Sequence, residues 1–298
     1  MNIFLGLYEN CISEEKIITG RLGGTERFFL ILWNFLLDQE HYVSKVNDRN
    51  FDIAIYSNTS REFVTAKKHI CWCGSFHTDA AEKPYDLIIA NSQFMLDTIN
   101  SHGVVIPACY EKQVELYKTS IYNPGKIITT SNPNRHILFT EQACELLIAK
   151  KINFTWIITG GNKLYSDSFN EQFVINSQKL QHRILNRTAL LREVANSHLY
   201  CYPNFEDNSE TQCVAAIEAA ALDVSVVLPN RLPFTEILPD NPYFCDNLED
   251  MVELIPKLLS CNRGRLEKCK VDKYAEKNIL PQIHNQILKI VEEKNDNR

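Results

Sequence analysis

The part of this chain best equipped for chemistry runs from Cys201 to Asp223. Its apolar start reads as a strand ending near Pro203, followed by a polar loop and an Ala-rich run of high helix propensity beginning at about Thr211. Glu210 and Glu218 stand on either side of that helix start, separated by seven residues. One carboxylate therefore precedes the helix, and the other lies about two turns into it. Carboxylates accept hydrogen bonds from paired hydroxyls, and the amides at a helix start favour a phosphate by up to ~2 kcal/mol. An extended ligand with hydroxyl pairs at both ends and phosphates between them, such as a nucleotide sugar, satisfies this spacing.

Other residues carry weaker versions of the same message. Gly23 and Gly24 open an apolar helix and let a ligand approach the backbone closely. Gly160 and Gly161 follow an apolar run at Thr155–Thr159, and Arg135 precedes another helical stretch. His77 and Asp79 lie just past a strand ending near Cys73. Trp72 and Phe76 read as core side chains before sugar platforms.

The elements that must position these residues alternate. In the first half, strands are expected at 2–7, 51–56, 69–73, 86–90 and 104–106, with helices at 25–37 and 93–100. Between Ile106 and Gly125 the period is lost and Pro107 and Pro124 appear, marking a boundary. Strands at 126–130, 155–159, 198–202 and 224–228 then alternate with helices at 137–150, 188–195, about 211–222 and 248–259. This pattern predicts an α/β chain of two doubly wound parallel units. We expect an amino-terminal domain over 1–122, a second domain over 123–272, and a helix with a polar tail over 273–298.

Composition narrows the partners. The 298 residues carry 31 Lys and Arg against 37 Asp and Glu, a formal charge of -6. A clustered basic face for phosphate neutralisation is not expected, which argues against nucleic acid. The first residues lack the tripartite form of a signal peptide, and no run reaches the ~20 apolar residues of a spanning helix, so a cytoplasmic location is expected, with peripheral membrane contact left open. The ten cysteines are scattered; they read as buried free thiols, and no metal cage is expected.

The whole pattern resembles the retaining GT-B glycosyltransferases of glycosyltransferase family four, the glycosyl transferases group one. That family's signature is a strand ending in Pro, a loop, Glu, seven residues, Glu-Ala, a small-residue stretch and an apolar strand. Here it is matched by Pro203, Glu210, Glu218-Ala219, Ala220 to Leu222 and Val224 to Leu228. Pro233 to Leu238 is similar to the family's Pro-Glu-Ile turn, and Gly23 to Arg27 to its amino-terminal glycine loop. Ser131 to Arg135, Thr159 to Gly161 and Ile106 to Ala108 resemble its diphosphate turn, nucleotide turn and linker approach.

The resemblance implies two Rossmann-like domains facing across a cleft. It also implies transfer of a hexose, with retention, from a donor such as UDP- or GDP-hexose to a glycan or other hydroxyl acceptor. No cofactor or tightly bound metal is implied. Glu218 would bind the ribose and Glu210 the donor sugar hydroxyls, with His77 beside the reacting sugar; Glu210 and His77 are the implied catalytic pair. The Thr211 and Gln212 amides and Arg135 would hold the phosphates, and Gly23, Gly24 and Gly160 would line the donor site. On this reading Glu218→Ala abolishes donor binding while leaving the fold intact.

Three departures stand out. Asp223 occupies a position where the family commonly has Gly. The basic residue usually preceding Arg135 is missing, with Lys163 or Arg27 as its substitutes, and the amino-terminal domain is short. The alternative reading is a degenerate GT-B protein that binds a nucleotide sugar without transferring it, and a further one is a GT-B-like epimerase or phosphorylase.

Overall fold

In both halves of the chain, strands whose two faces are apolar are stacked into a parallel sheet of six. The computed structural model describes residues 1–6, 24–57, 63–74, 84–131, 135–159, 179–183, 185–206 and 212–293. The first series comprises β1 (Asn2–Gly6), helix α1 (Gly24–Asp38), β2 (Tyr42–Ser44), β3 (Phe51–Ser57), β4 (Ala66–Cys73), β5 (Leu87–Ala90), α2 (Gln93–Thr98) and β6 (Val104–Val105). A 3₁₀ segment at Lys112–Tyr117 leads to β7 (Lys126–Thr130), α3 (Ile137–Ala149), β8 (Thr155–Thr159), β9 (Leu180–Arg183), α4 (Arg187–Ala195) and β10 (Leu199–Cys201). The second series continues with α5 (Val214–Ala221), β11 (Ser225–Pro229), α6 (Phe234–Ile237), β12 (Phe244–Cys245) and α7 (Leu248–Leu259), and the chain closes with α8 (Glu276–Glu292).

The strand orders are β2-β1-β3-β4-β5-β6 and β12-β11-β10-β7-β8-β9. Each order reverses beside its first strand, between β1 and β3 in one sheet and between β7 and β10 in the other. At such a switch point the loops leave in opposite directions and open a crevice at the strands' carboxyl ends.

Period-two alternation fills both faces of each sheet. Ile53, Ile55, Ile70 and Trp72 face α1 and α8, whereas Ala54 and Tyr56 face the other side. In the second sheet Ile128, Ile157 and Tyr200 pack under α4 and α5, while Ile127, Trp156 and Ile158 pack under α3 and α7. Trp72 stacks on Phe28 with ring centroids 4.0 Å apart, a core contact as expected. Every described cysteine is outside a disulfide, and all but Cys261 are buried.

The last helix returns to the first sheet. Ile279, Ile283, Ile287 and Ile290 recur at helical spacing along α8 and pack with Phe28, Leu32 and Leu36 of α1. This docking ties the end of the chain to its beginning.

Two expectations need correction. The helix bearing Glu218 begins at Val214, not near Thr211, because residues just ahead of it are held elsewhere: Gln212 turns its side chain onto the backbone of Ala108. Glu218 thus lies just over one turn into the helix, not about two. Strands β2, β9 and β12 were not expected, and all three lie on sheet edges.

Candidate functional site

The switch-point crevice of the second sheet is lined by the segments that follow β7 and β10. They are joined below the crevice: Tyr200 Oη donates to the carbonyl of Thr130 at 3.2 Å, and the Ser131 and Tyr202 hydroxyls meet at 3.3 Å. Arg135 is half-buried in the turn into α3, whose N-cap is His136. Arg231, just past β11, donates from Nη2 to the carbonyl of Asn204 at 3.0 Å. Two guanidinium groups are therefore carried on loops at the carboxyl edge of this sheet.

His136 is buried there. Its Nδ1 lies 3.1 Å from Thr140 Oγ1, and its Nε2 has no hydrogen-bond partner among the described residues. Burial, reinforced by the charges of Arg135 and His182, pushes its pKa down to about 3, so the ring is neutral at physiological pH. Thr159 Oγ1, at the end of β8, is likewise buried and has no partner among the described residues. A buried polar atom without a partner is uncommon and calls for an explanation.

Glu218 is not alone. Arg187, the first residue of α4, donates from Nη1 to Glu218 Oε2 at 2.8 Å and from Nη2 to Glu218 Oε1. The same guanidinium reaches Glu111, with Nε 3.0 Å from Oε2. Arg27 of α1 completes the series through Nη1 to Glu111 Oε1 at 2.8 Å, and Gln113 donates to Glu111 Oε2 at 2.8 Å. The four charged side chains are only 9–13% exposed. Burial works against the Glu111 carboxylate, but Arg187 and Arg27 outweigh it and hold its pKa below the usual range. Burial also opposes the Arg187 cation, and the two glutamates outweigh that, raising its pKa.

This ladder runs from α5 through α4 and the inter-sheet segment to α1, so it links the two sheet units. Other contacts do the same. Gln212 Oε1 accepts from the amide of Ala108 at 2.8 Å, and its Nε2 donates to the Ala108 carbonyl at 3.2 Å. Glu236, on α6, accepts from the backbone amides of Gln93 and Phe94, capping α2 of the first sheet unit. A carboxylate at a helix amino terminus is favourable both as acceptor and as charge.

The sequence-predicted residues divide accordingly. His77, Glu210, Gly23, Gly160 and Thr211 lie outside the described residues, as do Asp79, Gly161, Phe76 and Lys163. Arg135 sits at the crevice. Gly24 begins α1, and among the described residues no atom beyond its chain neighbours lies within 4 Å of where a Cβ would stand. Gln212 is described by its side chain, which fastens the linker. Arg27 pairs with Glu111. Glu111 and Arg187 were missed. The available signal was Arg187 itself, a cation at a helix amino terminus, where the dipole disfavours it; its two carboxylate partners offset that cost.

Among the described residues no group of three His, Cys, Asp or Glu side chains is placed to hold a metal ion. No described helix is long and apolar enough to cross a membrane.

No protein-family model matches the sequence, and no curated protein sequence matches it. Solved structures do. AviGT4, a glycosyltransferase involved in avilamycin A biosynthesis, is 11% identical with a TM-score of 0.66, and 98% of each chain is covered. Anabaena HepE, solved in complex with UDP and glucose, is 14% identical with a TM-score of 0.64, covering 97% of this chain and 100% of its own. TarM is 15% identical with a TM-score of 0.55; the match covers 89% of this chain but only 58% of TarM. An alpha-glucosyltransferase in complex with UDP-glucose and DNA is 12% identical, with a TM-score of 0.55 and 96% of this chain and 98% of its own covered. Because that neighbour holds DNA, the likeness gives no support to the exclusion of nucleic acid drawn from net charge. Two doubly wound parallel sheets, matched over nearly the full chain by glycosyltransferases of this architecture, make the fold of this protein GT-B.

Proposed function

We propose that this protein is a retaining glycosyltransferase that moves a hexose from a nucleotide-sugar donor to a glycan or other hydroxyl acceptor. The observation that carries the reading is the second sheet's switch-point crevice. Arg135 stands on one of its walls, and the chain from its other wall leads into the helix of Glu218. A GT-B fold and neighbours solved with UDP or UDP-glucose support it. In this reading the ribose lies on Glu218, the diphosphate on Arg135 and the Thr211 and Gln212 amides, and the sugar hydroxyls on Glu210. Gly23, Gly24 and Gly160 line the donor, and His77 faces the anomeric carbon. That carbon leaves the diphosphate oxygen, which keeps the bonding pair, and bonds to the acceptor oxygen with its configuration kept, while the acceptor hydroxyl's proton passes to the departing diphosphate. Charge growing on the diphosphate is met by Arg135 and backbone amides, with hydrogen bonds to charged groups each contributing about 1.5–3 kcal/mol, and the reaction proceeds in EDTA. We place the protein in the cytoplasm.

The test is thermal stabilisation against UDP-, GDP-, ADP- and CMP-sugars, followed by NMR of the product formed with a panel of acceptors. A donor at 100 times its dissociation constant stabilises by ~2.7 kcal/mol. A stabilising donor whose sugar appears on an acceptor with the same anomeric configuration supports the proposal. Binding without transfer across the panel makes the protein a nucleotide-sugar-binding protein, and no stabilisation by any donor rejects the reading.

A further inference from the structure

The middle of α8 is fastened by a contact between two histidines. His284 of α8 and His41, in the turn between α1 and β2, are 243 residues apart in the chain and bring Nε2 to Nε2 at 2.8 Å. Their ring centroids lie 5.0 Å apart. That separation exceeds the nitrogen distance by nearly the radii of both rings, so the two nitrogens stand on the line between the rings and meet head-on. A head-on pair is an N–H···N hydrogen bond; a shared metal ion would need the two lone pairs to converge at a point off that line. Both rings are half-buried, and Phe35 from α1 packs edge-to-face on His284 with centroids 5.8 Å apart. Burial lowers the pKa of both rings, and the amino group of Met1, beside β1, lowers that of His41 further, as does His284. Among the described residues that amino group is the one charge besides the rings themselves that acts on the pair, and no carboxylate does.

A head-on pair has room for one proton between its nitrogens. At neutral pH one ring carries its proton on Nε2 and donates, and the other carries its own on Nδ1 and accepts. A first added proton goes to the outer Nδ1 of the donor ring and leaves the bond intact, now charge-assisted. A second must go to the acceptor's Nε2, where two N–H groups and two cations then face each other beside the Met1 amine. We propose that His41 and His284 form a proton-operated clasp on α8, closed with no more than one added proton and opened by the second. Ile279, Ile283, Ile287 and Ile290 keep the helix on the sheet, so acid loosens α8 and does not release it. The chain enters α8 from the second series and returns through it to the first sheet, so the clasp makes that tie between the two units depend on pH. The direction follows from linkage. The open state binds one proton more than the closed one, and opening therefore grows as pH falls, by at most about tenfold per unit below the ordinary histidine value of about 6.5. An amide side chain at either position would give a hydrogen bond that pH leaves alone.

The experiment is hydrogen exchange of the full chain, followed by mass spectrometry at pH 7 and pH 5, with each rate corrected for the intrinsic pH dependence of exchange. Peptides from α8 are set against peptides from β7 and β8, which report global opening, in wild type, His41→Gln and His284→Gln. In wild type the protection of α8 is expected to fall about tenfold more than that of β7 and β8 between the two pH values. In both variants that excess is expected to vanish. Equal falls in α8 and in the reference strands of wild type overturn the proposal. An excess that survives in either variant assigns the effect to other groups, and overturns it too. If a variant fails to fold, nitrogen NMR of the imidazoles in wild type at neutral pH decides the matter. One ring of the pair is expected as the Nε2–H tautomer and the other as the Nδ1–H tautomer; the same tautomer on both rings overturns the clasp.

Discussion

Arg187 and Glu218, 31 residues apart, meet in a two-pronged ion pair in which each side chain is 12% exposed. A carboxylate that motif spacing presents as a free ligand is, in the fold, half of a buried pair.

This changes what truncation does. Glu218→Ala was expected to spare the fold, but it strands a buried guanidinium with only Glu111 as partner. Removing one member of a buried pair is costly, and with Glu111 remaining the expected loss is about 2 kcal/mol. Urea unfolding checks it: Glu218→Ala should have a lower midpoint than wild type, and an unchanged midpoint shows the pair to be energetically idle. Glu218→Gln, which keeps shape and acceptor oxygen, is the better variant for donor binding.

Glu111 predicts an acid limb. Its folded pKa is depressed, so the unfolded state binds the proton first; its stabilisation is complete above the unfolded carboxylate value of about 4.3 and is lost as pH falls through the folded value. Glu111→Gln should therefore be destabilised at neutral pH by about 2–3 kcal/mol, with a shallower fall below pH 4. Melting temperatures from pH 7 to 3 measure both; parallel curves for the two proteins would contradict it.

His136 predicts a second limb at higher pH. Its folded pKa of about 3 lies below the ordinary histidine value of 6.5, so between those values the unfolded state carries the extra proton. Stability is full above about 6.5 and declines toward pH 3, by at most ~1.4 kcal/mol per pH unit. His41, His198 and His284, all lowered first by burial, add to the same trend. In His136→Gln the decline between pH 6.5 and 4.5 should be visibly smaller; calorimetric scans over that range decide.

Asp223 has φ 60°, in the left-handed region, at the turn that ends α5. That accounts for an aspartate where the resembled family commonly has glycine: both tolerate the conformation. Its bridge to Lys118 spans 3.8 Å between half-exposed side chains and contributes little. Asp223→Gly should be at least as stable as wild type, and Asp223→Val less stable by about 1–2 kcal/mol. Thermal midpoints of the two variants moving together would refute this.

Much of the architecture was legible because it is written locally. The spans at 126–130, 155–159 and 248–259 coincide with β7, β8 and α7, since both strands are short runs of β-branched and aromatic residues and α7 has apolar residues at helical spacing. The strands that escaped notice, β2, β9 and β12, lie at sheet edges, where length and burial both shrink. The start of α5 was misplaced for a related reason: Gln212 reads as a helix former by propensity, yet its side chain is committed to Ala108, 104 residues away.

The two alternating series, their parallel sheets and the position of Glu218 on a helix at a sheet's carboxyl end can be read from the residues alone, because side-chain period and propensity act between near neighbours. That Glu218 is gripped by Arg187, that Glu111 joins Arg187 to Arg27, and that α8 returns to the first sheet emerge only in the folded chain. Those choices depend on which charges are buried together and which apolar stripe finds which sheet, and burial is a property of the assembled chain.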